Sequence, residues 1–282
     1  MQGRKPTLTP LVAPGSPGSA AHRLPIASMQ FSGTYLIDED RLEVSRLALD
    51  TGGPTVVATG TVEDAADRPV GAFSVTLNNT PLKELKRYWA PEWAADVYNW
   101  WIPNVKDGFV PRLDMEVRFT GGSAGWALTS VVGDLEFQDV VISYLEGMPD
   151  ISGMAGKANF THNRFDVFVS KGTSGGMDLE EGQLFMTGLS TNHEMAELQA
   201  SVSGSLDKAL TLIDHPPLGY ASEKGVDPKV AKGNAKVRLH IAFPLLNHLK
   251  LADVQISADA RLRDAAIPNA MHGFDLDKGV DD

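Results

Sequence analysis

The stretch from Leu145 to Gly176, LEGMPDISGMAGKANFTHNRFDVFVSKGTSGG, decides the fold. After a break at Met148-Pro149 it holds two runs of alternating apolar residues, joined by the polar turn His162-Asn163. Alternation with a period of two indicates half-buried strands, and the short polar turn makes them a hairpin. No residue in the stretch is typical of a catalytic site. The wider region Gly133–Gly204 repeats this strand–turn–strand pattern.

The same pattern continues on both sides of that region. The cleanest strands are predicted over 113–120, 234–243 and 253–264. Leu42 and Val44 have the opposite parity to Leu47 and Leu49, which predicts a bulge or bend near Ser45-Arg46. A similar change of parity follows Phe137. The sequence therefore predicts a mainly β chain built as an antiparallel meander.

Two segments interrupt the strands. Residues 80–106 predict a short Trp-rich helical insertion, because Pro81 and Pro91 each open a helical pattern and four of the five tryptophans lie within it. Such a cluster suits a sugar platform or a membrane interface, but a helical plug packed on the end of the sheet is the favoured interpretation. Residues 206–214 predict one further short helix, stopped by Pro216-Pro217.

Composition narrows the classes of function. With 25 basic and 36 acidic residues, the formal net charge is −11, which argues against nucleic-acid binding and against binding an anionic membrane by charge alone. The absence of cysteine excludes disulfides and thiol chemistry. Residues 1–25 are basic and then rich in Pro, Gly, Ser and Ala, so we expect a disordered linker there.

No motif in the chain predicts catalysis or metal binding. The G-x-S-x-G match at Gly121–Gly125 lies between two alternating strands, whereas a nucleophile elbow needs a helix after the serine. The seven histidines lack the helical spacing of a zinc site, and the acidic run Asp38–Asp40 lacks the pattern of a calcium loop. We therefore predict no enzyme, no cofactor and no metal. An esterase or carbohydrate-active enzyme using Ser123 or the tryptophans is the weakest hypothesis.

The strands leave one structural question open. Each has an apolar face and a polar face, and a closed β-sandwich would seal the apolar face as a core. An open, curved sheet would present it as a groove, which is a lipid site. Periodicity does not separate these two structures.

The order of features along the chain resembles the periplasmic part of AsmA-like proteins, in particular their large YhdP-type members. The resemblance covers about residues 28–282 and is carried by the sequence of several short features. These are a strand ending near Tyr144, the Met148-Pro149 break, Gly156, the turn Phe165–Gly172, the helix Leu206–Leu212 with Asp214-His215-Pro216-Pro217-Leu218, Asp227-Pro228, Gly233, and the pair PLKELKRYW and PEWAADVYNWW before a strand.

The resemblance implies a long curved antiparallel sheet, a repeating β-groove shaped like a taco, over residues 26–282, with the array truncated at the C-terminus. It implies a non-catalytic segment of a periplasm-spanning phospholipid transport bridge that contributes to outer-membrane lipid homeostasis. It also implies tethering to the inner membrane through regions outside this chain. The residues expected to line the groove against acyl chains are Leu113, Met115, Val117, Phe119, Val237, Leu239, Ile241, Phe243, Val254, Ile256 and Leu262. The alternative is a scaffold or assembly module for outer-membrane biogenesis with a sealed β core.

Overall fold

The chain forms one large antiparallel sheet. A computed structural model describes residues 7–8, 24–85, 101–122, 125–191, 193–246, 253–271 and 274–276. In these residues, thirteen strands from β3 to β15 lie in sequence order, each hydrogen-bonded to the strands before and after it. The prediction of a mainly β, antiparallel chain is confirmed.

The strands lie where the alternation predicts them, but β7 begins eight residues before the predicted 113–120 and β14 ends seven residues after the predicted 253–264. The sheet contains β3 Ser28–Leu36, β4 Arg41–Asp50, β5 Thr55–Glu63, β6 Val70–Pro81, β7 Val105–Gly122, β8 Gly125–Ile142, β9 Ile151–Thr161, β10 Arg164–Ser174, β11 Met177–Thr187, β12 Met195–Ser205, β13 Lys232–Pro244, β14 Gln255–Met271 and β15 Phe274–Leu276. Two further strands of two residues, β1 Thr7–Leu8 and β2 Leu24–Pro25, pair with each other outside it. The rest of the predicted linker 1–25 lies outside the described residues.

The sheet is open, because its first strand, β3, and its last strand, β15, do not pair with each other. Neighbouring strands lie about 4.8 Å apart, so thirteen strands extend for about 58 Å across the strand direction.

Both predicted changes of parity are irregularities of the ladder. The register of β4 against β5 shifts between Val44 and Leu47. The register of β8 against β9 shifts between Phe137 and Val140, where Asp139 has a φ of 52°. Each bulge turns the apolar residues on both of its sides to the same face, which explains why the parity changes in the sequence.

The described α-helices are short and lie at one end of the strands, whereas of the two 3-10 helices Ile37–Glu39 lies at the other end and Pro228–Val230 precedes β13. The α-helices are α1 Leu82–Leu85, a helical turn over 101–104, α2 Leu206–Asp214 and α3 Tyr220–Glu223. The prediction of α2 is confirmed, and α3 was not predicted. We call the end with the α-helices the helix end of the sheet, and the opposite end, with the hairpins at 37–40 and 162–163, the turn end.

The predicted insertion is narrower than 80–106. Thr80 pairs with Val110, and Pro81 with Phe109, so β6 continues through Pro81 and β7 begins at Val105. Cross-strand hydrogen bonding therefore moves the start of the predicted helix by one residue, from Pro81 to Leu82. Residues 86–100, which include three of the tryptophans, lie outside the described residues.

Fully buried apolar clusters lie at the helix end. Leu82 of α1 packs with Val110, Phe137 and Val140, and the partly buried Trp101 packs against them. A second cluster forms where Leu206 of α2 meets Ala231 and Ala235. None of the described helices is long and apolar enough to cross a membrane.

Candidate functional site: an apolar face of the sheet

One row of directly opposed residues crosses the sheet and is apolar in every strand from β3 to β14. Directly opposed residues lie on the same face of a sheet, so the row is a continuous apolar strip. We call it the apolar row, and the face that carries it the apolar face. It consists of Met29, Leu49, Val56, Leu77, Leu113, Leu135, Ala158, Val167, Leu184, Leu198, Ile241 and Ile256.

A second row lies two residues away on the same face, towards the turn end. It runs from β3 to β13 and contains only apolar side chains and one glycine. Its members are Phe31, Leu47, Ala58, Val75, Met115, Gly133, Phe160, Phe165, Met186, Ala196 and Phe243. The apolar face is therefore at least two residues wide along the strands.

The residues predicted to line a groove fall on this face, with one exception. Those of β7, β13 and β14 share the parity of the apolar row within their strands. They are Leu113, Met115, Val117 and Phe119 in β7, Val237, Leu239, Ile241 and Phe243 in β13, and Ile256 and Leu262 in β14. Val254 precedes β14, which begins at Gln255, so its prediction as a strand residue is wrong. The backbone leaves the ladder there because the pairing with β13 starts at Gln255.

Most of the apolar face is partly exposed. None of the predicted lining residues is fully buried, and Ile256 and Leu262 keep 56% and 44% of their surface. At the other edge, Met29 and Phe31 keep 53% and 55%. In the apolar row only Leu77 and Ala158 are fully buried. Among the described residues, the only other sheet is the two-stranded pairing of β1 with β2.

Phenylalanine rings lie flat across glycines of the neighbouring strand. Phe119 opposes Gly71, and a Cβ added at Gly71 would lie 2.2 Å from the Phe119 ring. The pair Phe160 and Gly133 shows the same geometry, with 2.5 Å to Cζ. Phe73 opposite Gly60 and Phe137 opposite Gly156 repeat it, at 2.8 Å and 2.7 Å. The glycines thus allow large rings to cover the backbone instead of projecting from the face.

The opposite face of the sheet is mainly polar and carries ion pairs, although Val57, Phe168 and Phe185 also lie on it. Lys157 Nζ lies 2.8 Å from Glu136 Oε1, and Lys236 Nζ donates to Glu180 Oε2 at 2.5 Å. The hydrogen bond from Lys236, with smaller contributions from Ser203 and Ser201, lowers the pKa of Glu180. These pairs are exposed, so each contributes little to stability. Their charged groups are hydrated, and burying this face against another surface would remove that hydration.

A cleft of about 550 Å³ lies at the helix end of the sheet. Thr211, Asp214, His215, Ser222 and Lys229 contribute to its lining. Asp214 Oδ1 accepts from Ser222 N and Oδ2 from Ser222 Oγ, both at 2.6 Å, and these bonds lower the pKa of Asp214. The carboxylate therefore ties α3 to the end of α2, and we assign the cleft no chemistry.

The G-x-S-x-G match, which the sequence predicts to be a hairpin turn, lies between two strands. It lies in the hairpin between β7 and β8, and strand begins again at Gly125 where an elbow requires a helix. Ser123 itself is outside the described residues. No group of three or more acidic or histidine side chains in the described part of the chain could hold a metal ion.

The sequence alone missed most members of the apolar face. Leu135, Leu184 and Leu198 lie between the strands that were singled out and belong to the same row. Their signal was present, because β8, β11 and β12 also alternate, but bulges interrupt that alternation in β8 and β11. Comparison with known protein families, with curated proteins and with solved structures found no match for this chain.

Proposed function

We propose that the apolar face is the wall of an acyl-chain groove and that the chain is a segment of a phospholipid transport bridge. The observation that carries this proposal is the apolar row, which continues from β3 to β14 without a polar residue. A sealed core does not need an uninterrupted strip that reaches both edges, whereas a path along which lipids move does.

The dimensions suit acyl chains. The hydrocarbon core of a bilayer is about 30 Å thick, so one leaflet contributes about 15 Å. A face about 58 Å long holds several such chains along its length. Each methylene transferred from water contributes about 0.8 kcal/mol, so ten methylenes contribute about 8 kcal/mol. The head groups would remain in water, beside the polar ends of the strands.

The cellular role follows from the resemblance to AsmA-like proteins. We propose that the segment lies in the periplasm, that the full-length protein is tethered to the inner membrane, and that it supplies phospholipid to the outer membrane. The chain would contribute no catalytic group. A scaffold with a sealed core is the alternative, and the partial exposure of Leu239, Ile241 and Ile256 argues against it.

The test is site-specific photo-crosslinking combined with native mass spectrometry. A benzophenone amino acid replaces Leu239 or Ile241 on the apolar face, and Arg238 or His240 on the opposite face of β13. We expect co-purified phospholipid in the native spectrum and lipid adducts only at Leu239 and Ile241. A lipid-free chain, or equal labelling at all four positions, would overturn the proposal. A lipid-free chain that unfolds on Leu239→Asp would favour the sealed scaffold.

A further inference from the structure

Among the described residues β3 pairs only with β4, and it lacks the protection that natural edge strands carry. Its nine residues, SMQFSGTYL, include no charged residue and no proline. At the opposite side of the sheet, the short edge strand β15 pairs with β14 only at Ile267 and Met271, and the rest of β14 carries Asp259, Arg261, Arg263 and Asp264. Charges and prolines normally prevent an edge strand from pairing with another chain. The sheet therefore has one protected side and one that is ready to accept a strand.

The side chains of β3 also extend the apolar face to this edge. Met29, Phe31 and Tyr35 are 53%, 55% and 48% exposed and lie on that face. Their neighbours Gln30, Ser32 and Thr34 lie on the other face and are polar but uncharged. If a second strand of the same pattern paired with β3, apolar side chains would lie beside apolar ones on one face and uncharged polar side chains beside polar ones on the other. No charged side chains would be brought together.

The backbone fixes which residues of β3 point to the open edge. Ser45 Oγ donates to the Ser32 carbonyl oxygen at 3.0 Å, so the backbone of Ser32 faces β4. Alternate residues of an antiparallel strand direct their N–H and C=O groups to opposite sides. The N–H and C=O groups of Phe31 and Gly33 therefore face outward.

We propose that β3 pairs antiparallel with β3 of a second copy of this chain, about a two-fold axis that passes through Ser32. In this register, Phe31 of each copy lies opposite Gly33 of the other. This repeats the Phe–Gly opposition that the sheet uses four times inside the chain, as between Phe119 and Gly71. Within its own chain Phe31 opposes Leu47, and Gly33 opposes Val44, so both are available for such a partner.

The axis is perpendicular to the sheet, so the two apolar faces lie on the same side of the dimer. Two sheets of thirteen strands then form one of about 120 Å. An isologous pairing is closed, because it uses the unprotected edge of each copy and leaves the charged β14 edges outside. This proposal does not depend on lipid binding.

The absence of cysteine makes a single-cysteine test clean. In the proposed register Ser32 lies opposite its own symmetry mate in a non-hydrogen-bonded pair, with Cα atoms about 4.5 Å apart, which a disulfide can bridge. We expect Ser32→Cys to give a reducible covalent dimer on mild oxidation. Ser74→Cys, at an exposed serine on the same face of the internal strand β6, is the control and should stay uncoupled.

Light scattering and sedimentation of the unmodified chain supply the second measurement, with a dimer as the expected species. Gln30→Lys combined with Thr34→Lys places like charges opposite each other and should convert the dimer to a folded monomer, with the circular dichroism spectrum of the wild type and an unfolding midpoint that no longer depends on protein concentration. A monomeric wild-type chain at its highest usable concentration would overturn the proposal. So would open-ended oligomers without Ser32 crosslinking, because these indicate pairing of β3 with β14.

Discussion

The cost of shortening leucines measures whether the apolar face is open in solution. Leu262 on that face keeps 44% of its surface, whereas Leu206, the first residue of α2, keeps 3%. Complete burial of a leucine side chain contributes about 1.5–3 kcal/mol. Little more than half of Leu262 is buried, and no closed cavity would form beside it, so we expect Leu262→Ala to cost about 1 kcal/mol. Leu206→Ala removes a buried side chain and leaves a cavity, which costs about 3 kcal/mol.

The assay is equilibrium urea unfolding of both variants and the wild type, followed by circular dichroism, with the midpoint and slope fitted separately. The two substitutions delete the same atoms, so their difference reports burial. If Leu262→Ala costs as much as Leu206→Ala in lipid-free protein, the face is covered and the reasoning fails. After loading with phospholipid, the cost of Leu262→Ala should rise towards that of Leu206→Ala, because acyl chains would then surround the side chain.

Three further predictions concern the backbone and the helix end. Gly156→Ala would place a methyl group 2.0 Å from the Phe168 carbonyl oxygen, so we expect a loss of about 2 kcal/mol or more in urea unfolding, whereas Gly122→Ala, with open space around it, should be neutral. Asp139→Val puts a β-branched residue at a φ of 52° and should cost about 1–2 kcal/mol, while replacement by glycine should cost nothing. The lowered pKa of Asp214 means that its contribution to stability is present above its unfolded-state pKa of about 4 and is lost as the pH falls through the lower folded value. Asp214→Asn should therefore flatten the acid side of the stability profile measured by urea unfolding.

The strands were predictable because the alternation of apolar and polar residues within each strand shows which of its side chains face the apolar side of the sheet. The alternation in β7 and β13 identifies an apolar face without reference to any other strand. The bulges were predictable for the same reason, since Val44 and Leu47 can both face inward only if a residue is added between them. α2 was predictable from its apolar stripe and from the prolines that follow it.

The register between strands was not predictable, because parity fixes the face of a residue but not its partner. Nothing local places Leu135 beside Leu113, and nothing local places a phenylalanine opposite a glycine. The helix predicted to open at Pro81 begins one residue later, at Leu82, for a related reason. The ladder between β6 and β7 extends to Pro81 and Phe109, and that pairing depends on a segment far away in the sequence.

The order of the strands also determines how this protein can assemble and change its length. Because each strand of the sheet pairs only with its neighbours in sequence, every hairpin can dock on the one before it as the chain leaves the ribosome. No loop has to pass through another part of the structure, and no strand has to remain unpaired until a strand distant in sequence has been synthesised. Insertion or loss of one hairpin changes the sheet by about 10 Å and leaves the remaining pairs intact. Duplication of hairpins during evolution can therefore lengthen such a sheet by about 10 Å at a time, without changes to the packing of the existing strands.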